Sequence, residues 1–316
     1  REIFEYGIAY MSVCVFMQIP NMVHIVIQKI LQATGNMIAP MWFQIAGVVF
    51  NFVFDPLLIF GIGPFPKMGV VGAAVATVLG YVVSTIIALI QLFLTKQKVK
   101  PVFKNCLEPQ MIKLIFSYGL PSFVMNALGA FTVNFANMFL VQYSDTAVAF
   151  FGAYFKVQQL IFMTVNGLIQ GCLPIMRFNY RAKEYGRLKQ ANKSGTIIAT
   201  VMMIVGMLLV LIFPKEILFL FSASEEMCAF GVPAMRIMSL GFVFSGFSAM
   251  IATYEQATDS IMPGVVVQLL RQGVLLVPVI WLLNSAVQMT GIWLAFPITE
   301  FVTFLVAVVF AKIKNH

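Results

Sequence analysis

Residues 41–60 read MWFQIAGVVFNFVFDPLLIF, an apolar stretch that is long enough to cross a bilayer and carries a single acid, Asp55. On a helix, Asn51 and Asp55 lie one turn apart on the same face, and Gln44 returns to within about 20–40° of that direction. A carboxylate at membrane depth costs roughly 2.5–3.5 kcal/mol on insertion scales and rarely faces lipid. Asp55 therefore marks a candidate functional site. The alternative is a structural carboxyl that is hydrogen-bonded to a neighbouring helix.

The composition extends this reading to the whole chain. Of 316 residues, 60% are hydrophobic and only 10% are charged, whereas a soluble domain averages about 25% charged residues. Apolar runs of about 20 residues, separated by Gly and Pro, recur from end to end and predict an all-α polytopic membrane protein. The nine predicted transmembrane spans are residues 3–31, 40–60, 69–95, 112–142, 147–174, 192–213, 228–254, 263–284 and 291–313.

The basic residues predict the orientation of these spans. They cluster between spans three and four, between spans five and six, and at the C-terminus, as Lys96, Lys98, Lys100, Lys104, Lys113, Arg177, Arg181, Lys183, Arg187, Lys189, Lys193, Lys312 and Lys314. Because basic loops stay in the cytoplasm, we expect a multi-pass protein of the plasma (inner) membrane with a cytoplasmic C-terminus. The net charge of +8 then reflects topology, and we expect no nucleic-acid partner.

Motifs for enzymatic or metal chemistry are missing from the sequence. The four cysteines form no CxxC or His/Cys cluster, which predicts neither a zinc site nor a disulfide framework. No HExxH, GxSxG or P-loop pattern occurs. We expect a protein that is not an enzyme and has no cofactor.

A weak internal repeat links the two ends of the chain. Residues 32–34, QAT, recur as residues 256–258, and each copy precedes a proline that opens the next span. Spans one to three then correspond to spans seven to nine, as in a parallel repeat of two bundles. If the repeat unit is six helices, three further helices are expected before Arg1. Chance similarity among apolar helices is the alternative.

Several segments resemble one transporter family. Residues 51–61 (NFVFDPLLIFG) and 69–77 (GVVGAAVAT) resemble helices five and six of the multidrug and toxic compound extrusion (MATE) family, and residues 174–183 (PIMRFNYRAK) resemble the loop after its eighth helix. Arg181 stands there where glycine is usual. Residues 119–122 (GLPS) and 270–272 (LRQ) resemble parts of helices seven and eleven.

The resemblance implies an architecture of twelve helices in two six-helix lobes. The nine spans would be helices four to twelve of an N-terminally truncated member. Residues 1–95 would form the second half of the N-lobe, residues 96–113 a cytoplasmic inter-lobe linker, and residues 114–316 the C-lobe.

The resemblance also implies an antiporter that exports organic, often cationic or amphipathic compounds and is driven by Na⁺ or H⁺. In many prokaryotic members the N-lobe cation site uses an Asp and an Asn on helix five, a Thr on helix six and an Asp on helix one, and the first three of these map onto Asp55, Asn51 and Thr77. Helix geometry agrees, because Asp55 and Thr77 lie at depths of roughly 9 and 13 Å from the turn that joins their spans. Their oxygens could ligate a small cation or form a hydrogen-bonded cage around a protonated Asp55.

Other intramembrane polar residues are candidates for lining a substrate cavity. They are Gln28, Gln44, Asn126, Asn134, Lys156, Gln159, Asn166 and Glu300. Ordinary interhelical hydrogen bonds, at ~0.6 kcal/mol each, are the alternative for any one of them. Lys156 and Glu300 each need a neutralising contact, and Arg271 is a candidate partner for Glu300.

Two other functions remain open at this point. One is a flippase for a lipid-linked precursor, and the other is a membrane receptor or assembly protein that transports nothing. The expected partners are small organic molecules and the lipid bilayer, and the expected state is a monomer.

Overall fold

The computed structural model describes residues 2–94, 108–258 and 261–314, and within these ranges all regular secondary structure is helical. The chain divides into two compact units, Arg1–Cys106 and Leu107–His316. This division falls inside the predicted linker 96–113. Most of that linker, residues 96–107, lies outside the described residues, and its last residues already belong to a helix.

The described residues of the first unit form four helices, which are α1 (Glu2–Phe16), α2 (Gln18–Ala33), α3 (Ile38–Phe60) and α4 (Gly69–Leu94). The first predicted span, 3–31, was expected to be one helix and is instead two helices that meet at Met17. Pro20 explains the break, because it has no N–H to donate to the Phe16 carbonyl and is best accommodated in the first turn of a helix, where it lies in α2.

Small residues let α3 and α4 approach closely. A Cβ atom on Gly80 would lie 2.8 Å from the Gly47 carbonyl oxygen, so no larger residue fits there without movement. The Ser84 hydroxyl donates to the Phe43 carbonyl of α3 at 3.0 Å. At its end, α3 is capped by Gly61 in the left-handed conformation (φ 71°), whose N–H donates to the Leu57 carbonyl at 3.0 Å. This packing fixes the polar residues of α3 against α4.

The second unit contains nine α-helices and one π-helical turn among its described residues. They are α5 (Pro109–Leu140), α6 (Asp145–Arg181), α7 (Tyr185–Ile212), α8 (Pro214–Leu220), α9 (Glu225–Ser239), α10 (Phe242–Ala257), α11 (Ile261–Leu269), the π turn (Leu270–Val274), α12 (Leu276–Val287) and α13 (Met289–Lys314). The short α8 was not predicted. The predicted span 228–254 is divided between α9 and α10, and 263–284 is divided by the π turn.

Aromatic packing holds α6 and α13 together in the second unit. The buried rings of Phe150 and Trp293 are 5.2 Å apart, and those of Phe151 and Phe296 are 5.7 Å apart. Offset or edge-to-face ring pairs of this kind contribute about 0.5–1.5 kcal/mol beyond their buried area. They fix the register between the two helices that carry Lys156 and Glu300.

Within the described residues, six helical segments are long and apolar enough to cross a membrane. They are Ile38–Phe60, Gly69–Phe93, Asp145–Arg181, Tyr185–Ile212, Glu225–Ala257 and Met289–Phe310. Two further apolar helices, Ala127–Leu140 and Leu276–Val287, are shorter. These segments support an all-helical polytopic membrane protein, while the count of nine spans stays a prediction.

Candidate functional site

The amide of Asn51 on α3 forms hydrogen bonds to Asp55 on the same helix and to Thr77 on α4. The Asn51 amide Nδ2 donates to Asp55 Oδ1 at 3.2 Å and to Thr77 Oγ1 at 3.4 Å. The Thr77 hydroxyl donates to the Ala73 carbonyl at 2.9 Å, so its oxygen is free to accept from Asn51. All three side chains are half-buried. The three residues that the sequence singled out thus form one polar cluster within the first unit.

Tyr10 on α1 extends this cluster and was not identified from the sequence. Its hydroxyl interacts with the side chains of Thr77 and Cys14, and α1 packs against α4. The sequence places Tyr10 inside the first span, but no local signal says which neighbour a side chain on that span faces.

Gln28 and Gln44 contact each other. Gln44 Nε2 donates to Gln28 Oε1 at 3.1 Å, and Gln28 is buried. The nearby His24 is also buried, between the rings of Phe43 and Tyr81. For Gln28 and Gln44, the geometry therefore fits the alternative of an interhelical hydrogen bond.

A cavity of about 650 Å³ lies within the second unit. Four of the predicted residues line it, namely Lys156, Gln159, Asn166 and Glu300. It is also lined by polar and aromatic residues that the prediction had not included as cavity residues: Thr132, Phe155, Gln158, Phe162, Gln268, Arg271 and Phe296. Gln268 could have been found from its spacing, since it lies one helical turn before Arg271.

Asn134, another predicted cavity residue, is not among the residues that line this cavity. Asn134 is exposed, and its amide donates to the Ala130 carbonyl of its own helix at 3.0 Å. This local bond satisfies the donor without a neighbouring helix. The side chain of Asn126 lies outside the described residues.

Arg271 and Glu300 form an ion pair in the cavity wall. Arg271 Nε donates to Glu300 Oε1 at 2.9 Å, and the two side chains are only 19% and 14% exposed. The guanidinium also lies 5.0 Å from the centroid of the Phe162 ring, within range of a cation–π interaction. Arg271 belongs to the π turn, a deviation from α-helix that is frequent at functional sites.

The described residues contain no group of three or more His, Cys, Asp or Glu side chains that could hold a metal ion. Among the described residues, the hydrogen-bonded cluster of the first unit contains one carboxylate, Asp55, together with the Asn51 amide and the Thr77 hydroxyl.

Sequence comparison identifies a family and individual relatives that the chain resembles. The profile of the MatE family matches residues 1–57 and 121–282. The chain is 26% identical over 277 residues to the multidrug export protein MepA of Staphylococcus aureus, which covers 87% of this chain and 60% of that protein. It is also 26% identical over 304 residues to MepA of Staphylococcus saprophyticus, covering 95% of this chain and 65% of that protein. The chain thus spans about 60% of the length of the curated relatives it matches.

The fold is shared with solved structures. One of them, an outward-facing conformation of a multidrug resistance MATE family transporter of the MOP superfamily, superposes with a TM-score of 0.87 at 21% identity. The match covers 97% of this chain and 69% of that one.

Proposed function

The chain belongs to the MATE family, and we propose that it exports organic, often cationic or amphipathic compounds across the cell membrane in exchange for Na⁺ or H⁺. The observation that carries the coupling mechanism is the Asn51 amide, which bridges the carboxylate of Asp55 and the hydroxyl of Thr77. A carboxylate within a membrane span needs such partners, because it cannot be left unsolvated.

The cluster can bind a cation by exchanging one donor for an acceptor. In the structure, Asn51 presents its NH₂ group to Asp55 Oδ1. A rotation of the amide by 180° would present its carbonyl oxygen instead. A carboxylate, a carbonyl and a hydroxyl would then face one point, and oxygen ligands of this kind suit small hard cations. A proton on Asp55 could equally donate to that carbonyl.

Ion binding can be coupled to a change in α3 through Pro56. This proline follows Asp55 directly inside the helix and has no N–H for the Phe52 carbonyl. Helices bend at such points. Antiport follows if the ion and the exported compound stabilise different conformations of the protein. Binding of either one then shifts the population away from the conformation that binds the other.

The test is the replacement of Asp55 by asparagine in the complete protein, reconstituted in vesicles and assayed with ethidium. Imposed Na⁺ and pH gradients are applied separately to identify the coupling ion. We expect Asp55→Asn to abolish gradient-driven transport, because an amide can neither take up a proton nor neutralise a cation. The matched control is Asp145→Asn, the same chemical change at an exposed residue in the first turn of α6. Wild-type transport by Asp55→Asn would overturn the assignment.

The topology belongs to the same proposal. Residues 1–95 would supply half of an N-lobe, residues 96–113 a cytoplasmic linker and residues 114–316 a C-lobe, with the C-terminus in the cytoplasm and a monomer as the working unit. Labelling of a single cysteine placed beside Lys312 with a membrane-impermeant thiol reagent, in intact cells and in inverted vesicles, tests the side on which the C-terminus lies.

A further inference from the structure

Lys156 places an ammonium group in the cavity of the second unit. It lies eleven residues after Asp145, the first residue of α6, and so about 16 Å along the helix. The side chain is exposed within the cavity wall and makes no ion pair or hydrogen bond with the described part of the chain. A cation at this depth is costly unless an anion or water accompanies it.

The acid that lines the same cavity is already paired. Glu300 accepts from Arg271 at 2.9 Å, so its charge is neutralised before any ligand enters. Among the charged residues that line the cavity, two are basic and one is acidic, which leaves one positive charge at Lys156. An incoming anion would satisfy this charge, whereas an incoming cation would have to displace Arg271 from Glu300.

The rest of the lining suits an aromatic body. Phe155, Phe162 and Phe296 supply apolar faces, and the amides of Gln159 and Asn166 supply hydrogen-bonding groups. Ligand pockets typically measure ~300–1,000 Å³ and combine apolar walls with a few polar groups. The observed volume of about 650 Å³ lies in that range.

We propose that this cavity binds an aromatic organic compound that carries an acidic group, with its carboxylate or sulfonate against Lys156. This proposal rests on the proposed export function and narrows it for the cavity of the second unit, by assigning to that cavity the acidic members among the amphipathic compounds. The acid and the ammonium would form a charge-assisted hydrogen bond, which is roughly twice as strong as a neutral one.

The experiment is a binding titration of the purified complete protein in non-ionic detergent with two matched fluorescent probes. Dansylglycine carries a carboxylate, and dansylglycinamide carries a neutral amide on the same body. We expect the wild-type protein to bind dansylglycine about tenfold more tightly or better. Lys156→Met should remove this preference and Lys156→Arg should keep it. Lys189→Met, which removes an exposed basic residue near the start of α7, should also keep it.

A second variant covers the case in which Lys156→Met disturbs α6. Gln159→Glu places a carboxylate on the same wall, one helical turn from Lys156. It should weaken the binding of dansylglycine about tenfold and leave the binding of dansylglycinamide unchanged. Equal binding of the two probes by the wild type, binding of neither, or a preference that survives Lys156→Met would overturn the proposal. The titration uses no ion gradient, so its failure is separate from a failure of the transport test at Asp55.

Discussion

Replacement of Arg271 by methionine is expected to destabilise the protein by about 3 kcal/mol, because it leaves the Glu300 carboxylate without its cation. The two side chains are mostly buried, and their atoms are 2.9 Å apart. Removal of one partner from a fully buried pair costs about 3–5 kcal/mol, and the residual exposure places this pair at the lower end. Glu300 has no reserve partner among the described residues, since its Oε2 atom already lacks a hydrogen bond.

Neutralising the other partner by Glu300→Gln should reduce the free energy of unfolding by less, about 1 kcal/mol. Arg271 keeps its contact with the Phe162 ring, whose centroid is 5.0 Å away, and a glutamine carbonyl can still accept the hydrogen bond from Arg271. The double variant, Arg271→Met with Glu300→Gln, removes both charges and should lower the free energy of unfolding by about 2 kcal/mol. Because the two single changes sum to about 4 kcal/mol, the expected coupling energy between the side chains is about 2 kcal/mol.

The measurement is reversible unfolding of the purified protein by SDS in mixed micelles, followed by circular dichroism. Arg236→Met serves as the control, since Arg236 is exposed and its Nε donates one hydrogen bond to the Leu211 carbonyl. That control should cost about 1 kcal/mol or less. Additive losses in the double variant would refute the reasoning, because they would show that the two charges do not interact.

Three further predictions concern single side chains. Gly47→Ala should destabilise the first unit by about 1–3 kcal/mol in the same unfolding assay, because the added methyl group overlaps Ser84 and the carbonyl of Gly80. The control is Gly152→Ala, which should be neutral or stabilising because a methyl group meets open space there. Equal effects of the two substitutions on the free energy of unfolding would contradict this prediction. Ser144→Ala should cost about 1 kcal/mol by the same measurement, because the Ser144 hydroxyl accepts from Ala147 N–H at the start of α6, and an unchanged midpoint would argue against the cap. Thr77→Val should reduce gradient-driven ethidium transport about tenfold and Thr77→Ser should retain it, since only the latter keeps the hydroxyl; equal rates in vesicles would exclude an ion-binding role.

Local sequence signals were sufficient to locate most of the helices. The span predicted at residues 40–60 is the helix Ile38–Phe60, and the span predicted at 291–313 lies within Met289–Lys314. Hydropathy and the positions of Gly and Pro are properties of neighbouring residues, so they can be read from the chain alone. The interruptions at Met17 and at the π turn were missed, because an apolar segment has the same hydropathy whether its helix is continuous or broken.

The polar cluster of the first unit was partly determined by the sequence as well. The four-residue spacing places Asn51 and Asp55 on one face, and the distance of Thr77 from the turn gives it a comparable depth. The structure adds the rotation of α4 that brings Thr77 to Asn51, and it adds Tyr10 from α1.

Only the tertiary structure decided which distant side chains meet. Arg271 and Glu300, 29 residues apart, form an ion pair, Gln28 binds Gln44, and Asn134 bonds within its own helix. The sequence predicts that each of these groups lies in a membrane span and needs a partner. The choice of partner depends on how each helix is rotated about its axis, and that rotation is set by the packing of side chains from segments far apart in the chain.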